Sequence, residues 1–196
     1  LDSQLGEQDF PMHVALPRTR GPEKLPPSEQ RLGFLAAGRD PTFGYVGGYL
    51  LTTARGRPLE FHYTTPVNPS ATHRILYGAE LEPYIFGELI AANLARQSTL
   101  EPAFLITDQP LVLSQRRASS CPIICALAAG TTSESGAETD AKAPELTTHA
   151  DFPQDLDALN RWLSETESGL NLREPFVRVW EALREVLGGD TKQAAA

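Results

Sequence analysis

The side chains in this chain that could move protons are scattered along it. His62 is the natural general base, because imidazole exchanges protons near neutral pH. Glu60 lies two residues before it, and Asp108 ends the apolar run Phe104-Leu-Ile-Thr. Glu88, set in a helical pattern, supplies a second carboxylate. Brought together, these four would make a His/carboxylate site of the kind used by a small hydrolase or transferase. Each also has a plainer role. His62 and Glu60 fit the solvated face of a strand, Asp108 before Gln109-Pro110 fits a turn, and Glu88 fits a solvent-facing helix side. No nucleophile elbow, phosphate-binding glycine loop, dinucleotide fingerprint or zinc-protease helix motif accompanies them.

The two cysteines, Cys121 and Cys125, flank Pro122-Ile-Ile. Proline and β-branched residues favour an extended chain there, which sets residues four apart about 13 Å from each other, beyond disulfide reach. Buried, unreactive thiols are therefore expected. The histidines His13, His62, His73 and His149 show no zinc-ligand spacing relative to the cysteines, so no structural metal and no cofactor is expected. The basic pairs Arg55/Arg57 and Arg116/Arg117 lack a glycine-rich cradle and read as solvated turns.

Positioning such residues requires a core, and 196 residues suffice for one main domain with appendages. The chain is 41% hydrophobic and 21% charged, as a globular protein is, and its formal net charge is −8. That charge argues against broad attraction to nucleic acid or anionic membrane; the acidic excess lies beyond residue 130. No apolar run approaches the ~18 residues of a membrane span. The first thirty residues hold five prolines and no apolar signal core, so a cytoplasmic setting is expected, although the chain opens on Leu1 rather than Met.

The expected fold class is α+β: an antiparallel-rich sheet of about five strands with one buried central helix, followed by a C-terminal two-helix hairpin. Residues 1–30 read as a flexible proline-rich arm, 31–129 as the α+β core and 130–150 as a flexible linker; 151–188 read as the helical hairpin and 189–196 as a tail. Within the core, Gly47 to Thr53 and Pro58 to Thr65 predict a β-hairpin turning at Gly56. Alternation puts Leu59, Phe61 and Tyr63 on one face of the second strand and Glu60, His62 and Thr64 on the other. Residues 79–97 predict a helix apolar on most of its circumference, hence one buried between two layers or against a partner. Gly33 to Ala37, Ala103 to Asp108, Leu111 to Leu113 and Cys121 to Leu127 supply the other strand-like runs. This succession of hairpin, helix and strands is similar to that of small adaptor folds of the longin and roadblock group, a likeness of architecture that carries no function of its own.

Beyond the linker, Leu156, Leu159 and Leu163 mark one amphipathic helix; Phe176, Trp180, Leu183 and Leu187 mark another, with Asn171 and Glu174 at its start and Gly188-Gly189 at its end. Two such short helices need a surface to dock on, either the open sheet face or another molecule. All five tyrosines fall between Tyr45 and Tyr84. The favoured reading is a non-enzymatic adaptor or accessory subunit that binds another protein or a second copy of itself, with Tyr49, Phe61, Tyr63, Tyr84 and Trp180 as contact residues. A small-molecule ligand is compatible with it. The alternative is the hydrolase or transferase centred on His62.

Overall fold

A computed structural model describes residues 26–127, 144–166 and 170–194, so most of the expected arm and residues 128–143 of the expected linker lie outside the described residues. The elements are β1 (Arg31–Asp40), β2 (Gly44–Thr53), β3 (Pro58–Tyr63), α1 (Ala71–Tyr77), α2 (81–97), β4 (Phe104–Thr107), β5 (Ile123–Leu127), β6 (Glu145–Thr148), α3 (Gln154–Thr166) and α4 (Glu174–Ala194). The strands form one six-stranded sheet in the order β3-β2-β1-β4-β5-β6. Pairings β1–β2, β2–β3 and β5–β6 are antiparallel, whereas β1–β4 and β4–β5 are parallel. The parallel pairs follow from the connections. Between β3 and β4 the chain needs a long crossover, and α1 and α2 occupy it. The sheet has six strands where about five were expected, and β6 forms inside the stretch read as linker, where Leu146 and Thr147 pair with Ala126 and Cys125.

Both faces of the sheet are covered. Leu32, Phe34, Leu50, Ile106 and Ile124 pack under Leu159, Trp162, Phe176, Val179 and Leu183 of α3 and α4. Leu35, Tyr49, Leu51, Leu105 and Ile123 pack on the opposite face under Ile85, Phe86, Ile90 and Leu94 of α2. The C-terminal helices accordingly dock on the sheet of their own chain, through buried residues at the i, i+3 and i+4 spacing of an amphipathic stripe. Asn171 Oδ1 accepts the Arg173 N–H at 2.9 Å in the turn just ahead of α4, and Pro175 is tolerated in the first turn of the helix, where its missing N–H costs nothing. The helix runs through Gly188-Gly189, where a stop was expected, to Ala194.

The hairpin forms with Gly56 at φ +78° in the turn. The face assignment in β3 needs correction. Leu51 pairs with Glu60 but Thr52 pairs with Pro58, so Leu59 is the extra residue of a β-bulge. A bulge breaks the period of two, and Leu59 joins the α2 side while Phe61 joins the α3/α4 side. A second correction concerns Leu111 to Leu113, which lie in a 3-10 turn, Pro110–Arg117, rather than a strand. Pro110 brings a helical φ and no strand N–H, and the Gln109 side chain accepts the Leu111 N–H at 3.3 Å.

That turn explains the apolar girth of α2, which is held between the sheet and Leu111, Val112 and Leu113. Ser114 and Gln115 reach the α2 backbone at Gly87. Pro83 opens the helix, and over Tyr84–Ala91 it widens to a π-helical turn in which the Ala92 N–H bonds the Gly87 carbonyl, five residues back.

Candidate functional site

The sheet divides the four acid–base candidates. Glu60 and His62 sit on the α2 side of β3, where the imidazole stacks on Tyr49. Asp108 follows β4 on the α3/α4 side, in register with Phe104 and Ile106 of that core. Glu88 is exposed on α2. Of the four, the fold brings together Glu60 and His62 alone, with His62 Nε2 3.2 Å from Glu60 Oε2.

Glu60 is fully occupied. Its Oε2 accepts from Ser98 Oγ at 2.9 Å and from the Thr99 N–H at 3.1 Å, and its Oε1 accepts from the Thr99 hydroxyl. Burial raises its pKa, but the donors on Thr99, Ser98 and His62 together outweigh that and leave it below the usual carboxylate value. These bonds tie the end of α2 to β3. A serine hydrolase relay needs the imidazole between the hydroxyl and the carboxylate. Here the carboxylate lies between Ser98 and His62, an order that leaves the serine without a base.

Asp108 occupies the carboxyl ends of the parallel strands β1, β4 and β5, the edge at which open α/β sheets take ligands. Its Oδ1 accepts the Ala37 N–H at 3.0 Å, and its Oδ2 accepts the indole N–H of Trp180 at 2.8 Å. Burial pushes its pKa up to about 6, the donors from Ala37 and Trp180 offsetting part of the rise. Beside it opens a cavity of about 340 Å³, walled by Phe176, Val177 and Trp180 and bordered by Arg173, Glu181 and Arg184.

The third feature is α1. Ser70 caps it through a bond from the His73 N–H at 3.2 Å, yet none of its residues is buried. Ile75 is 80% exposed and Leu76 74%. Tyr77 stacks on Tyr84 of α2, centroids 4.8 Å apart, and between them and Val67, Leu81, Ile85 and Leu89 runs an apolar groove of about 190 Å³. The charges bracket this patch, Arg74 before it and Glu80 after it, both exposed.

The aromatic contact candidates separate in the same way. Tyr49 is 1% exposed and packs the core, and Phe61 is half-buried against the α3/α4 cluster. Tyr63 is exposed, Tyr84 lines the groove and Trp180 lines the cavity. Sequence reasoning passed over Ile75 and Leu76, whose signal was an apolar pair just after Ser70 without a second row of apolar residues behind it. Both thiols are free, Cys121 half-buried and Cys125 buried, and burial pushes each up to about 12. Among the described residues no helix is long and apolar enough to cross a membrane, and no group of three or more His, Cys, Asp and Glu is placed to hold a metal ion.

No protein-family model matches this chain, and no curated protein matches it.

Proposed function

We propose that the chain is a non-enzymatic protein-binding module, an adaptor or accessory subunit, and that it assembles through the α1 face with a second copy of itself. The observation that carries this reading is the exposure of Ile75 and Leu76 on a seven-residue helix that buries none of its own side chains. A helix so short is marginal in water without packing, so a partner surface is the natural source of its stability. With both sheet faces already covered, this patch gathers Ile75, Leu76 and Tyr77, three of the five exposed large hydrophobics among the described residues.

A second copy fits on two counts. The patch holds both projecting side chains, Ile75 and Leu76, and an apolar groove able to receive one of them, as an isologous two-fold contact requires. An antiparallel pairing centred on Tyr77 also sets Arg74 of one copy opposite Glu80 of the other. The hydrolase reading around His62 has less support, because Glu60 is spent on anchoring the end of α2 and Ser98 donates to that carboxylate rather than to the imidazole. The oligomeric state of the chain with α1 intact and with its apolar pair replaced tests the proposal.

A further inference from the structure

We propose that the open edge of β3 takes residues 10–16 of the same chain as a further, antiparallel strand. β3 ends the sheet, and its pairing with β2 shows which of its backbone groups are left for a neighbour. The Thr64 N–H bonds the Gly47 carbonyl at 2.9 Å, and the register continues with His62 opposite Tyr49 and Glu60 opposite Leu51. In an antiparallel ladder alternate residues turn their backbone to the same neighbour, so Phe61 and Tyr63 turn their N–H and C=O groups outward. Their rings stack on the α3/α4 side with centroids 6.1 Å apart, and Tyr63 is 40% exposed. Such an edge is a template for a strand that brings apolar cover for those rings. The other edge, β6, is four residues long and presents no exposed large apolar side chain.

Residues 10–16 carry the pattern that the β3 edge requires. Phe10, Met12, Val14 and Leu16 alternate with Pro11, His13 and Ala15. Opposed residues of an antiparallel pair share a face, and at the outward positions of β3 they also exchange backbone bonds. The apolar row meets both demands: its backbone pairs with Phe61 and Tyr63 while its side chains cover the two rings. Pro11 and Pro17, which have no N–H, then fall at positions turned away from β3, where proline is tolerated. The path of the chain sets the direction. Arg31 pairs with Thr53, and Thr52 with Pro58, so β1 and β3 begin at the same end of the sheet. The bond from the Glu29 N–H to the Pro26 carbonyl, 2.8 Å, keeps Pro26 beside the start of β1. A segment preceding Pro26 therefore meets β3 with Leu16 at the Pro58 end, which makes it antiparallel. Three strand spacings, about 15 Å, separate β1 from the added position, and the chain from Leu16 to Pro26 spans up to about 33 Å. α1 takes no part in this pairing.

The test is amide hydrogen exchange by NMR on the full chain, wild type against Met12→Lys/Val14→Lys, which sets charge into the apolar row. The Phe61 and Tyr63 amides should exchange at least about tenfold more slowly in the wild type than in the variant, independently of protein concentration. The His62 and Thr64 amides, which face β2, should be protected alike in both chains and so show that the variant is folded. Phe61 and Tyr63 amides that exchange equally fast in wild type and variant would overturn the assignment. So would protection that grows with concentration, since the added strand would then come from a second copy.

Discussion

Trp180 on α4 donates its indole N–H to Asp108 at the end of β4 across 2.8 Å, and the same carboxylate accepts the Ala37 N–H of β1. One side chain thus joins two parallel strands to the last helix. A carboxylate in this position is half-withdrawn from water, and burial pushes its pKa up to about 6 from an ordinary 3.8.

A pH dependence follows. Between pH about 4 and about 6 the folded chain holds a proton on Asp108 that the unfolded chain has released, so this group's contribution to stability falls as pH rises through that window. Asp108→Asn keeps an acceptor for Trp180 and removes the titration. Urea unfolding at pH 4, 5, 6 and 7 should show wild type losing stability relative to the variant, by at most about 3 kcal/mol over the window. Parallel curves would contradict the assignment.

Arg116 holds Asp155 at the start of α3 through its Nε at 2.5 Å and its Nη2 at 3.2 Å, donates to the Ser119 carbonyl at 2.7 Å, and lies over the Phe152 ring. The Asp155 side chain is 4% exposed. Removing one partner of such a pair strands the other charge away from water. Asp155→Ala should cost about 3–5 kcal/mol in chemical denaturation, whereas Asp151→Ala, which breaks the exposed contact to Arg117, should cost under about 1 kcal/mol.

Gly47 on β2 lies so close to α2 that an added Cβ would stand 2.2 Å from Ile90 Cγ2. Either the helix lifts or Ile90 leaves its rotamer. Gly47→Ala should destabilise the fold by about 1–3 kcal/mol in thermal or urea unfolding, and pairing it with Ile90→Val should not restore the loss, since valine keeps the branched Cβ. Full rescue would show that the methyl alone sets the helix–sheet distance.

Much of this fold was legible in local pattern. The β2–β3 hairpin followed from Gly56 and its flanking strands, and the apolar girth of 81–97 correctly required cover on two sides. The bulge at Leu59 was not legible, since it depends on how Pro58 fits opposite Thr52 and not on alternation within β3. Leu111 to Leu113 carry strand residues, yet Pro110 and the Gln109 cap decided for a helical turn. β6 lay in a stretch whose composition resembles a linker, and the open edge of β5 recruited it. The site was least legible of all. Asp108 was singled out, but its partner Trp180 is 72 residues further on and its environment exists only once α4 has docked. The exposure of Ile75 and Leu76 likewise depends on what the rest of the chain leaves uncovered.

Self-association through α1 is tested most directly by sedimentation velocity across a concentration series, comparing the wild-type chain with Ile75→Asp/Leu76→Asp. Both side chains are exposed in the single chain, so at concentrations where the wild type is monomeric the variant should match its circular dichroism, and its unfolding free energy within about 0.5 kcal/mol. The wild type should move from monomer to dimer with increasing concentration, and the variant should remain monomeric throughout. A wild-type chain that stays monomeric over the whole series, or a variant that dimerises as the wild type does, would contradict it.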